Sequence, residues 1–469
     1  MCKYARPLSK SSAAVFGPRG GAGVLEGGVF RWVSVFAFSV LAATAVAPKA
    51  GAQSVTKGPW VLELGEDSAL LRVETDRPAT VSVSLSAVGH EAEGALSFEG
   101  QTTTHPDDAA IGSVRLSGLR GDTRYEYVVR VGDDEERGEL WTAPPPGAPF
   151  TFVVYGDNRT KQDMHVAVVE QMLEETDARV ILHTGDFVEM GGRPRDWGDY
   201  FRNAGALVRR TGLFPSLGNH EIYGPGGLAR YHRYLTREDT RETWYRADYG
   251  DLTVLALDSN VDWEPGTAQH DWLTATLAEV AEVAADRFVV VILHHGPYSS
   301  GRHGGFDDMR EMGVPEQLRD AGVDVIFSGH DHDYERGDVD GLKYVVTGGG
   351  GAPLYTVNER SPHQLAFESV HHFVRGRIEG GRFHTRVVRI DGTVLEECSF
   401  AKGEPWQCEG GSPAGPVEPG ISRQEDFFQN YGKRYGFYVV LVPVVIGAFL
   451  YAWRRRRKQK RAAKTDEKS

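Results

Sequence analysis

Five apolar runs in this 469-residue chain end in side chains that can hold a metal ion. FTFVVYGDNR delivers Asp157, ARVILHTGDFVE delivers Asp186, and LFPSLGNHE delivers Asn219 and His220. RFVVVILHHGPYSSG delivers His294 and His295, and VDVIFSGHDH delivers His330 and His332. Carboxylates, a carboxamide and imidazoles together make a mixed oxygen and nitrogen cage, which suits Zn, Mn or Fe and holds more donors than one ion needs. Taken singly, each run says little, because Gly-Asp is a common turn and a lone histidine is commonly structural. The same kind of ending at five successive runs is what points to a site.

Something must bring those endings to one place. From Phe150 to about Ile390, apolar strands alternate with helical stretches such as KQDMHVAVVEQMLEET, TAQHDWLTATLAEVAEVAAD and VPEQLRDAG, an α/β pattern. In such sheets ligands bind beyond the carboxyl ends of the strands, where all five runs stop. Gly156, Gly185, Gly218 and Gly329 precede the donors and are expected to permit the sharp turn into the site. Before this region, residues 53–145 read as short alternating strands with Gly, Asp and Pro turns, a small all-β sandwich. That segment contains no catalytic cluster, and TAPPPGAPF after it reads as a stiff spacer.

The region 150–400 resembles the calcineurin-like metallophosphoesterase superfamily, and within it the purple acid phosphatase branch. The resemblance rests on GHDH, GNHE, LHHGPYSSG and QHDWL. LSGLRGDTRYEYVVRV, with Tyr125 and Tyr127, resembles the strand E to strand F passage of fibronectin type III domains. The resemblance implies a four-layer αββα sandwich with a dinuclear centre. It places Asp157, Asp186 and His332 on a first ion and Asp186, Asn219, His294 and His330 on a second, with Asp186 bridging. Two ions roughly 3.5–4 Å apart clamp a phosphate oxygen and activate a shared water. His220 is then expected to contact the phosphoryl group or protonate the leaving oxygen, and His303 to face substrate. His295 supports a ligand or contacts substrate. His165, His183 and Asp258 are expected to be structural. Two departures stand out: Glu189 occupies the place of the branch's tyrosine ligand, and Arg159 that of a histidine found in other branches. Glu189 is therefore expected as a ligand of the first ion or Arg159 as a phosphate clamp. The metal pair, divalent or mixed-valence Fe, Zn or Mn, is left open.

The two ends bear on location. Residues 1–52 read as a secretory signal, with Arg31, an apolar stretch and the small residues Ala50-Gly51-Ala52. Gly436 to Trp453 contains no charged residue and is followed by four arginines, so 435–453 reads as a transmembrane helix after a linker at 401–434. The tail 454–469 carries nine basic and two acidic residues, so the formal charge of −13 leaves −20 on the remainder. An acidic body speaks against nucleic acid as a partner. The expected location is outside the cytoplasm, anchored in the cytoplasmic membrane. Cys398 and Cys408, an even pair in an exported chain, are expected to form a disulfide. The function expected is hydrolysis of phosphate mono- or diesters on small molecules or surfaces. The rival is a catalytically inactive form of the fold used for binding or adhesion.

Overall fold

The computed structural model describes residues 53–411 apart from 106–109, 176, 239 and 358. The signal segment, the apolar segment 435–453 and the basic tail lie outside the described residues. Among the described residues, no helix is long and apolar enough to cross a membrane.

Period-two burial explains the layers. Phe152 and Val154 of strand Phe150–Tyr155 enter one core, while Val153 and Tyr155 enter another. In strand Phe288–Leu293, Val290 and Ile292 join the same first core, and Val289, Val291 and Leu293 a third. A strand buried on both faces needs an apolar residue at every position, and these strands read that way. The first core lies between an eleven-stranded and a seven-stranded sheet. Helices Gln162–Glu174 and Pro194–Val208 cover the larger sheet through Val168, Met172, Trp197 and Phe201. Helices Ala268–Val283 and Val314–Asp320 cover the smaller one through Leu273, Leu277 and Leu318. The outcome is four layers, as expected.

In the larger sheet, Phe150–Tyr155, Ala178–His183 and Gly212–Pro215 run parallel. In the smaller, Leu252–Ala256, Phe288–Leu293, Val325–Ser328 and Leu342–Thr347 run parallel. The donors named above all follow the carboxyl ends of these strands.

Residues 53–145 form two facing sheets. Val55–Leu62, Ser68–Thr75 and Ala110–Ser117 lie in the larger sheet, opposite Leu96–Gln101, Thr80–Ala87, Arg124–Val131 and Asp134–Trp141. The Arg120 amide donates to the Tyr125 hydroxyl at 2.8 Å, the contact that defines a tyrosine corner. The sandwich does not stand apart, because Val61 pairs in parallel with Gly212. Buried Trp60 packs on Phe201 at 4.4 Å and donates to the Tyr234 carbonyl at 2.9 Å. The Tyr127 hydroxyl donates to the Arg209 carbonyl at 2.8 Å, and Arg72 to that of Thr236 at 2.9 Å. The proline stretch is docked too: Pro144 is buried and the Gly147 amide donates to Asp251 at 2.8 Å. At the other end, Cys398 and Cys408 face each other across Val394–Ala401 and Gln407–Gly410 and are disulfide-bonded. The sheet thus runs into the stretch read as linker from 401.

Candidate metal centre

Three of the donors adopt left-handed backbone conformations: Asp157 (φ 56°), Asp186 (φ 57°) and His330 (φ 68°). Such strain in non-glycine residues gathers at functional sites, where the surroundings over-determine it. The four preceding glycines were expected to supply the turn, yet of these only Gly185 has positive φ, at 93°. Gly218 and Gly329 serve close approach instead. A Cβ on Gly218 would lie 2.3 Å from the Asp186 amide, and one on Gly329 2.2 Å from Asp157 Oδ2.

The donors meet as follows. The His294 ring donates from Nδ1 to the Thr184 carbonyl at 2.9 Å, so its lone pair sits on Nε2. Nε2 faces Asn219 Oδ1 at 2.9 Å and Asp186 Oδ1 at 3.4 Å. The Asn219 amide nitrogen points away, to the Tyr223 hydroxyl at 2.8 Å. Three lone-pair atoms therefore converge with no hydrogen among them. Donor atoms around one ion at ~2.1 Å stand about 3–3.5 Å apart, which is the spacing found here. Asp157 closes the group. Its ligand atoms lie within 4.8 Å of those of Asp186 and His294, and its buried Oδ1 has no hydrogen-bond partner. His294, His295 and His330 also converge within 4.8 Å. A cation fits this donor set, because three acceptor atoms face one another with no proton between them.

Charges agree with that reading. Burial, then the charge of Asp186, pushes the Asp157 carboxyl well above the usual range. Burial works to raise Asp186 also, but His294, His220 and Arg159 outweigh it and hold it below that range. Burial keeps His294, His330 and His332 under the ordinary imidazole value, so each offers a lone pair.

The other side of the centre is different. His332 donates from Nδ1 to the Pro353 carbonyl at 2.7 Å, stacks on Tyr355 at 4.0 Å, and turns Nε2 toward Asp157 Oδ1 at 3.4 Å. Arg159 reaches in beside it. Its Nε donates to Asp186 Oδ2 at 2.9 Å, Nη2 approaches His332 Nε2 at 3.3 Å, and Nη1 donates to Glu189 Oε2 at 3.3 Å. Glu189 also accepts from the Thr160 hydroxyl. Among the described residues, no converging ligand group includes Glu189.

Residues 150–334 match the calcineurin-like phosphoesterase family. The chain carries a calcineurin-like phosphoesterase domain. An uncharacterized protein of Mycobacterium tuberculosis is 27% identical over 272 residues, covering 49% of this chain and 51% of that protein. Purple acid phosphatase 22 of Arabidopsis thaliana is 27% identical over 237 residues, covering 48% and 52%. The chain thus spans about half the length of the curated relatives it matches. A purple acid phosphatase from yellow lupin seeds shares the fold, with a TM-score of 0.65 at 19% identity over 75% of this chain and 74% of that one.

Around the candidate centre, His220 donates from Nδ1 to the Glu189 carbonyl at 2.7 Å, which leaves Nε2 3.8 Å from Asp186 Oδ2. His303 stacks on His330 at 4.1 Å and is held by Asp331 Oδ1, 2.9 Å from its Nδ1. His295 bonds through Nδ1 to the Ser259 hydroxyl at 2.7 Å and lies 4.2 Å from the His330 ring. The residues expected to be structural are so placed. His165 stacks between Tyr155 and Tyr200, His183 bonds Asn158 at 2.7 Å, and Asp258 accepts from Thr243 at 2.5 Å.

Glu221 was not anticipated from the sequence. It is fully buried and accepts the amides of Asp186 (2.9 Å), Gly218 (2.9 Å) and Val188 (3.1 Å), tying two donor-bearing loops together. Burial, then the Asp186 charge, pushes its carboxyl up to about 8. The available signal was its position, a glutamate in the first turn after Gly218.

Proposed function

We propose that this chain is a metal-dependent phosphoesterase that hydrolyses phosphate mono- or diesters. The observation that carries the proposal is the meeting of Asp186 Oδ1, Asn219 Oδ1 and His294 Nε2 with no proton between them. Asp157 and His330 complete the set that would hold the ion. A bound ion of the Zn, Mn or Fe class supplies Lewis acidity toward a phosphoryl oxygen and toward water. The chain's own residues do the rest. The Arg159 donors bind phosphate oxygens. His220, with its Nδ1–H fixed on the Glu189 carbonyl, presents Nε2 to the leaving group and donates a proton from it when the ring is in the imidazolium form. His303 and His295 line the approach. Glu221, Thr184 and Tyr223 hold the donors in place.

The sandwich fits a fibronectin type III-like module, on the tyrosine corner and the two facing antiparallel layers. Export and tethering through 435–453 are supported by the apolar segment, the arginines behind it and the disulfide. The substrate class is then phosphorylated small molecules or surfaces outside the cytoplasm.

The test uses the purified chain with p-nitrophenyl phosphate and bis-p-nitrophenyl phosphate. Turnover should vanish on chelation and return with Zn, Mn or Fe. Absence of turnover on both esters with every metal, in a chain that retains metal, would overturn the proposal.

A further inference from the structure

The fold family implies two ions, but the two halves of this centre are not alike. On one side, acceptors face acceptors and call for a cation. On the other, the cation is already there. The Arg159 guanidinium lies against Asp186 Oδ2 and approaches His332 Nε2, the two atoms that a first ion would need. An ion about 2.1 Å from those atoms would sit in contact with Nε and Nη2 and face a second positive charge. The guanidinium is no loose end. Its side chain is 11% exposed, and Glu189 fixes its far edge while Thr160 in turn holds Glu189. The His332 tautomer, set by Pro353, presents the lone pair that a donor on Arg159 can meet. Asp157 converges with Asp186 and His294, on the side where acceptors face acceptors.

We propose that the centre is mononuclear, with the Arg159 guanidinium in place of the first ion and Glu189 as its anchor rather than a metal ligand. One ion is held by Asp157, Asp186, Asn219, His294 and His330. The proposal rests on the phosphoesterase reading only for which residues count as ligands. Arginine keeps its charge and offers a planar fork to phosphate oxygens, but it has no empty orbital for water. Lewis acidity therefore falls to the single ion, and Arg159 supplies fixed charge and orientation.

Metal content separates this from a two-ion centre without reference to activity. The purified full chain, saturated with Mn²⁺ and then desalted, should hold about one ion per chain by mass spectrometry of the metal. Its paramagnetic resonance should be that of isolated Mn²⁺. Arg159→His, which exchanges the guanidinium for a ligand, should raise the content to about two and give a spin-coupled signal. Two coupled ions in the unaltered chain would overturn the proposal, as would an Arg159→His variant that folds and stays at one. No retained ion together with no ester hydrolysis would sink the phosphoesterase reading itself. Two ions with full hydrolysis would sink only the mononuclear one.

Discussion

Glu396 and Arg336 offer a sharp test of what locks the two central sheets. Arg336 lies on Tyr334–Val339 in the smaller sheet and Glu396 on Val394–Ala401 in the larger. The guanidinium meets the carboxylate as a fork, Nε to Oε1 at 2.7 Å and Nη2 to Oε2 at 3.1 Å, and the Tyr334 hydroxyl also donates to Oε1. The two side chains are 7% and 1% exposed. An exposed pair contributes about 0–1 kcal/mol. Breaking a buried one costs about 3–5 kcal/mol, because the remaining charge is stranded. Glu396→Gln keeps the shape and one oxygen, so the expected loss is near the lower end, about 3 kcal/mol. Denaturant unfolding of the purified chain reads it as a fall in midpoint at unchanged slope. Replacing both partners, Arg336→Met with Glu396→Leu, should return most of the loss, because no charge is then buried. A loss under about 1 kcal/mol for Glu396→Gln, the value for an exposed pair, would refute the reasoning.

His220→Ala should lower the rate by roughly two to four orders of magnitude if His220 is the proton donor, with a smaller loss on esters of good leaving groups. An equal loss on both kinds would show that it only binds phosphate. Cys398→Ser should cost about 2–3 kcal/mol for the short loop it opens. Peptide mapping without reduction should find Cys398 linked to Cys408, and alkylation of both in the native chain would contradict that bond. Gly329→Ala should displace Asp157, whose Oδ2 lies 2.2 Å from the added Cβ, and lose metal while far-ultraviolet dichroism is kept. Full metal content in that variant would show that the approach is not needed. Lastly, with Glu189 where the tyrosine ligand would stand, the metal-loaded protein should show no tyrosinate charge-transfer band, as absorbance checks directly.

The strands were legible because those buried on both faces must be apolar throughout, and the centre because its donors recur at their ends. Helix Pro194–Val208 was not, although Trp197, Tyr200, Phe201 and Ala204 give it a buried face. Gly198 and Gly205 lower its helix propensity, so local sequence argues against what packing imposes. The posture of Arg159 was open for a different reason. Whether it clamps phosphate or fills a metal site depends on Glu189 and on His332, 173 positions away, and no local pattern encodes that meeting. The joining of the sandwich to the catalytic half depends likewise on Val61 finding Gly212.

That seam has a consequence for how the protein behaves as a part. A sandwich hung on a flexible tether can be shuffled between proteins and melts by itself. This one shares backbone hydrogen bonds, a buried tryptophan and a docked proline stretch with the catalytic half. The two should therefore unfold in one cooperative step, and neither is a transferable cassette. Cutting the sandwich away would strip Gly212–Pro215, the strand that leads to Asn219, of one neighbour and bare its edge, the kind of edge that recruits foreign strands.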